Sequence, residues 1–487
     1  MRKNEILYYV FFALLFGFRA IGGHDGWGCY PYTLAAAAVF LLLKLLATRH
    51  TVREYLWILL FLLLGGIVYA CTGEKGLLID FAMMLGMKDM CDRRLFRFAG
   101  VLLGGAMAVL TFLTVFGLMD EIRFGVVGRP LWGQMYRHSL GYPHTNTLMT
   151  TYVILMMLTL YLIGGENRKR LLRGSLILWI CGLYYYLYCN SNTGLLISTL
   201  YLAINYYCQV RLRYRLWEKA VIYAVYPLVN VVAVAGMLLY REEWQDHSAL
   251  TSFLERFRTA SIYLHEYSIT LFGMRMEIPE SLRYGLDISQ IYLLLNLGLV
   301  AFAAVSVLYG IVLREMIREK NGGAIAIILC LVVMGVSDPL LYNLSCKNLT
   351  FLFMGMALYR LLARKKSKRF PWLGREICLL PAGEEPVSER VSVWLKKAEE
   401  CVRRVILAGR GNRKGRWGVL ILALGAAVVY ALAAYSHIEP LGKVKSYQAG
   451  FYEYLRLTVS IGTWSFLLGE LLRRILLCYG RDRRGRR

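Results

Sequence analysis

Several familiar chemistries are missing from this sequence. It contains no Walker phosphate loop, no Rossmann glycine fingerprint, no zinc-ligand spacing and no nucleophile elbow. A Walker loop is how a chain cradles ATP phosphates on backbone N–H groups. Its absence argues against an ATP-driven pump built into this chain. The eleven cysteines are scattered, without a CxxC pair. Several fall in apolar runs or basic loops, where packed free thiols are expected. Acidic residues are scarce, 32 against 57 Lys and Arg, for a net charge of +25. No small-residue cleavage site follows the first apolar run, so the N-terminus reads as an uncleaved anchor. No repeat period is detectable.

What the chain has in excess is apolar sequence. Hydrophobic residues make up 57% of its 487 positions, and the mean hydropathy is +0.48. Soluble domains hold about 45–50%. The runs are long and continuous, not the roughly ten alternating residues of a β-barrel strand. The expected fold is therefore all-α, a polytopic transmembrane helical bundle. Twelve core spans are expected at 6–23, 30–47, 55–72, 76–90, 95–118, 145–164, 172–189, 194–210, 218–240, 289–312, 323–338 and 348–363. Two more follow, at 417–436 and 454–478. The run at 76–90 is short and carries Asp80 and Lys88, so it reads either as a span or as a re-entrant segment.

The positive charge is distributed by topology. Alternate loops are basic, from Lys44–Arg53 to Arg314–Lys320, and with both termini inside 43 of the 57 Lys and Arg are inner and 14 outer. This is the positive-inside bias. It implies anionic lipid headgroups as partners, not nucleic acid. Three units are expected: a transmembrane domain over 1–363, a basic inner linker over 364–416, and a two-helix membrane module with a basic tail over 417–487. In the linker, Val391, Trp394, Ala398, Cys401 and Val405 share one helical face, as an interfacial helix on an anionic leaflet would.

Two long outer loops remain, 119–144 and 241–288. Connections of this length are usually functional. The first ends in Arg137-His138-Ser139-Leu140-Gly141-Tyr142-Pro143-His144-Thr145-Asn146, and ionisable groups at a helix mouth near membrane depth are functional candidates. The second has Leu250, Phe253, Leu254, Phe257 and Ile262 at helical spacing, read as an amphipathic helix on the outer face. It also carries Glu242, Glu243, His247, Arg256, Arg258, His265, Arg283 and Asp287. Outer arginines either snorkel to headgroups or bind a phosphate through their planar forks. Asn146 is either a helix cap or a ligand. His144 either packs or donates to a sugar or phosphate oxygen. Asp287 is either a helix-terminal acid or a general base, and Asp338 before Pro339 reads as a turn or as a second acid.

These stretches resemble the O-antigen polymerase and O-antigen ligase superfamily, especially the Wzy-like capsular and exopolysaccharide polymerases of Gram-positive bacteria. Arg137 to Asn146 is similar to the family's R-x-S-L-G-F-G-H-P-N. Ser191-Asn192-Thr193-Gly194 resembles its S-R-T turn, with Asn192 where arginine is common. Arg256 ahead of Leu271-Phe272-Gly273 resembles the loop arginine before L-F-G. Asp287 through Gly298-Leu299 resembles D-N-S-Y-x-x-L-L-x-x-G-L, with Ile288 replacing the asparagine. Ser337-Asp338-Pro339 and Asn348 match a serine–acid turn and a late asparagine.

The resemblance covers about 1–363 and implies a membrane glycosyltransferase. A hydroxyl of one lipid-linked oligosaccharide would attack the anomeric carbon of another, with inversion, and undecaprenyl pyrophosphate would leave. No metal or cofactor is implied. Arg256 and Asp287 are the expected catalytic residues, Asp287 as base. Arg137, His144, Asn146, Asn192, Arg258 and His265 are the expected substrate-binding residues. The expected location is the bacterial cytoplasmic membrane, with the site on the outer face and a chain-length regulator as a partner for residues 364–487. The alternatives are a ligase that transfers glycan to another acceptor, a lipid-oligosaccharide transporter and a membrane scaffold.

Overall fold

Gly322–Met334 has no charged residue and no polar face, and a helix apolar all round belongs in a core. In the computed structural model this segment is buried along nearly its whole length. The structure describes residues 2–129, 133–211, 213–241, 251–282, 285–338, 341–342, 347–364, 370–380, 397, 400, 404, 413–435 and 447–484. Its helices are Lys3–Phe12 (α1, continued by a π turn and Phe18–Ala20), Tyr30–Leu46 (α2), Val52–Thr72 (α3), Gly76–Leu85 (α4) and Asp92–Val115 (α5). Then come Thr145–Ile163 (α6), Arg168–Cys189 (α7), Asn192–Val210 (α8), Leu216–Leu238 (α9) and Thr251–Glu266 (α10). Ser289–Leu295 (α11), Leu299–Arg318 (α12), Gly322–Met334 (α13), Thr350–Arg364 (α14), Arg413–Tyr435 (α15) and Tyr447–Arg484 (α16) complete the set. Eight of the described helices are long and apolar enough to cross a membrane, as a multi-pass membrane protein requires.

Local chemistry sets the helix ends. Thr51 and Glu54 form a reciprocal capping box at the start of α3, and Asn321 caps α13 by accepting from Ala324 N–H at 3.1 Å. Oxygen-bearing caps satisfy donors that the helix leaves unpaired. The weak run at 76–90 is a ten-residue buried helix, α4. At 1.5 Å per residue it spans about 15 Å, half a bilayer core.

The single span expected over 289–312 is broken. α11 ends at Leu295, Gly298 has φ +92°, and α12 begins at Leu299. The segment 270–274, from the loop between α10 and α11, threads the break. Met274 N–H donates to Asn296 O at 3.1 Å, Leu299 N–H to Thr270 O at 2.9 Å and Val300 N–H to Leu271 O at 3.0 Å. Irregular backbone at such depth is tolerated where protein supplies its partners.

The long loop between α5 and α6 contains an antiparallel hairpin, Arg123–Arg129 (β1) against Gly133–His138 (β2), pairing Arg123 with His138 and Arg129 with Gly133. The loop between α9 and α11 holds α10, as its periodicity predicts. Its buried stripe, however, is Phe257, Ala260 and Tyr263, packed on Ala233, Met237, Ile288 and Ile291. The apolar face is spent on protein, not on lipid, and Ile262 falls outside the stripe. Gly236 of α9 makes room: a Cβ there would lie 2.4 Å from the Phe257 ring. Glu242, Glu243, His247 and Arg283 lie outside the described residues, as do Val391, Trp394, Ala398, Cys401 and Val405 of the linker.

The last two spans form a helical hairpin, α15 against α16, and α16 docks on the core. Trp464 Nε1 donates to Tyr184 Oη at 3.3 Å, and Phe112 of α5 meets the Trp464 ring edge-on at 5.5 Å.

Candidate functional site

The chain makes a tight corner at Cys189-Asn190-Ser191. Asn190 takes φ +47°, which asparagine tolerates better than most residues. Ser191 then caps α8, its Oγ accepting from Gly194 N–H. This corner faces the N-terminus of α6, where His144 Nδ1 accepts from Asn146 N–H at 3.1 Å.

Arg137 ties the two together. Its Nε donates to Cys189 O at 2.7 Å and an Nη donates to Asn146 Oδ1 at 2.7 Å. Two arms of the fork are thus engaged in holding a corner, which makes Arg137 a scaffold for the site more than a ligand. Asn146 is oriented by that bond, leaving its NH2 end as the donor. Burial, with the Arg137 charge beside it, pulls the His144 imidazole below its ordinary value. His144 is therefore set as a neutral capping acceptor.

Asn146 opens onto a small cavity at this end of the bundle. It is lined by Asn146 and Thr150 of α6, Ser191, Thr193 and Gly194 at the start of α8, Arg256 of α10, and Ser337 and Asp338 after α13. Its volume is about 20 Å³, room for about one water. Thr150 Oγ1 donates to Asp338 Oδ2 at 3.0 Å, and Ser289 Oγ donates to the Asp338 carbonyl. Burial draws the Arg256 guanidinium below its usual value, and the carboxylates of Asp287 and Asp338 oppose that pull. Burial likewise lifts the Asp287 carboxyl, with Arg256 acting against it.

The sequence-derived set divides. Arg256 and Asn146 line the cavity; Arg137 and His144 build its wall. Asp287 is electrostatically coupled to Arg256 but does not line the cavity, whereas Asp338 does. Asn192 points elsewhere, accepting from Tyr186 Oη at 2.8 Å. Arg258 and His265 are not brought to the site. They line a separate groove with Ser261 and Glu266, Arg258 pairs with Glu255 at 2.9 Å, and His265 Nδ1 contacts Ser261 O at 2.8 Å. At 100° per residue, Arg256 and Arg258 stand about 200° apart on one helix, so only one of them can face inward.

Sequence reasoning missed Thr150 and the buried Lys347, and gave Ser191 and Thr193 a place in a motif turn but no role at the site. Thr150 follows Asn146 by one helical turn, a spacing that puts both on one face. Lys347 is buried, donates to Thr151 Oγ1 and lies 5.5 Å from the Tyr142 ring centroid. Its signal was a cation at the acid-poor, lysine-poor end of a span. A larger cavity of about 960 Å³ opens at the opposite end of the bundle, among Glu54, Lys88, Asp89, Arg360 and Arg375. It is remote from this constellation. Both cavities have charged linings, and the residues singled out in the sequence, Asn146, Arg256 and Asp338, lie in the small one.

No protein-family model and no curated protein sequence matches this chain.

Proposed function

We propose that this protein is a membrane glycosyltransferase that polymerises oligosaccharide repeat units carried on undecaprenyl pyrophosphate, at the outer face of the bacterial cytoplasmic membrane, with inversion. One observation carries the reading. Four stretches singled out separately in the sequence, Asn146, Ser191–Gly194, Arg256 and Ser337–Asp338, line one cavity, although nearly two hundred positions separate the first from the last.

The cavity holds one guanidinium, a carboxylate and several hydroxyls. Arg256 exchanges a carboxylate partner for the departing pyrophosphate and stabilises the charge that develops there. A carboxylate takes the proton of the attacking hydroxyl. Asp338, in contact with Thr150 and facing the cavity, is the base this geometry favours; Asp287 acts on Arg256 through its charge. A donor needs far more room than one water, so this reading requires the cavity to open when the donor binds.

The test is reconstitution in liposomes with lipid-linked repeat units. Wild type is expected to give a ladder of lengthening products, and Arg256→Ala single units alone. A product on a different acceptor with no ladder would identify a ligase. Movement of intact donor between leaflets without new bonds would identify a transporter and overturn the proposal.

A further inference from the structure

Arg456 lies at the start of the apolar stretch of α16, yet it is only 5% exposed. An arginine that merely anchored a span would snorkel to the headgroups. This one is turned into protein. Its guanidinium carbon lies 4.5 Å from the Tyr188 ring centroid, a cation–π contact that burial strengthens. Ser460, one turn on, bonds Tyr188 Oη and Tyr184 Oη, and Tyr452 Oη donates to Leu187 O at 2.6 Å. The last turn of α7 is therefore gripped by α16 at Leu187 and Tyr188, while its next residue, Cys189, receives Arg137.

A second path runs through the loop between α5 and α6. Glu121 pairs with His138 Nδ1 and accepts from Leu140 N–H at 3.3 Å. The His138 ring stands edge-on to Tyr188 at 6.1 Å. Burial would raise the Glu121 carboxyl, but His138, then the Arg456 charge and the Leu140 N–H hold it below its ordinary value. Arg456 thus acts on both supports of the Arg137 turn: the end of α7 that Arg137 grips, and the acid that holds the residues on either side of Ser139.

We propose that Arg456 is a positioning residue, and that the C-terminal helical hairpin is a strut which holds the Arg137–Asn146 turn in place at the site. The hairpin touches no residue lining the cavity in the contacts described. Its influence passes through Tyr188 and Glu121. Only the activity arm of the test rests on the glycosyltransferase reading.

Hydrogen–deuterium exchange on the full-length protein in nanodiscs tests the strut directly. Arg456→Met is expected to speed exchange at 136–142 and 187–190 by at least about tenfold, leaving 299–334 unchanged. Arg456→Lys, which keeps the charge over the ring, restores most of the protection. Unchanged exchange at 136–142 in Arg456→Met would overturn the proposal. If that variant loosens everywhere, Glu121→Gln decides: it should loosen 136–142 alone, and failure to do so overturns the proposal equally. In liposomes, Arg456→Met should lower kcat far more than it raises KM, with Lys rescuing. A wild type inactive on lipid-linked oligosaccharide, but with the expected exchange pattern, would remove the functional reading and leave the strut standing.

Discussion

A Cβ on Gly298 would lie 2.2 Å from the backbone nitrogen of Gly273, and one on Gly273 would lie 2.0 Å from the carbonyl oxygen of Asn296. Both glycines have positive φ, +82° at Gly273 and +92° at Gly298. Two short motifs twenty-five positions apart are interlocked backbone to backbone. That contact closes the break between α11 and α12 and fixes where the loop after α10 meets it. Gly273→Ala and Gly298→Ala combine a strained dihedral with a backbone clash, so each is expected to destabilise by about 2–5 kcal/mol. Thermal unfolding in detergent measures this; a melting temperature unchanged in both variants would refute the interlock.

Arg256 and Asp287 influence one another electrostatically. Burial lifts Asp287 and the Arg256 charge restrains it. Neutralising Arg256 as Arg256→Gln removes the restraint, so the Asp287 carboxyl should titrate at still higher pH. The raised value also sets a sign for stability: the ionised carboxylate is disfavoured in the fold, so the contribution of Asp287 declines as pH rises through its folded pKa. Infrared difference titration against Asp287→Asn reads the carboxyl band; a downward shift in Arg256→Gln would contradict the coupling.

Asp338 and Asp287 are separable by substitution. Asp338→Asn is expected to abolish chain extension in liposomes, a loss of at least about 10²-fold. Asp287→Asn should leave measurable turnover, with a raised KM for the lipid donor as Arg256 is less well held. The opposite ranking would return the role of base to Asp287.

Arg137 is a corner bracket. Arg137→Lys cannot make both bonds, since an ammonium lacks the planar fork. A loss of about 2 kcal/mol in stability is expected, with partial activity remaining. A fall in activity with unchanged melting temperature would instead favour direct contact with phosphate.

His144 supplies a pH-dependent weakness. Its imidazole is held below the ordinary value by burial and by Arg137, so the folded state prefers it neutral. Stability is intact above the unfolded pKa, about 6.5, and falls as pH drops below it towards the folded value. Asparagine also caps helices well, so His144→Asn should flatten the drop in melting temperature between pH 7.5 and pH 5. An equal drop in both proteins would remove His144 as its source.

Much of this architecture is written in local sequence. A run of apolar residues forms a helix and leaves water on its own account, so segments such as 30–47, 55–72 and 145–164 were legible one at a time, and helical spacing in the loop before Asp287 announced α10. Charge bias along the loops is likewise a property of composition. Turns and caps are encoded within a few residues, as at Ser191 and His144, so those stretches could be picked out before their relation in space was known.

What no local pattern contains is the relation between segments. Arg256 and Arg258 look alike in sequence, and only the seating of Phe257 against Gly236 turns one inward and the other to the groove. Asp338 and Asp287 are both acids beside apolar runs, and only the packing of α13 against α6 brings Asp338 to Thr150. The break at 296–298 reads as continuous hydropathy, because the partners that satisfy its backbone arrive from the loop at 270–274. Arg456 looks like an anchor until α16 meets Tyr188. Hydropathy is additive over neighbours along the chain, whereas a site is a coincidence in space that depends on which faces are buried first.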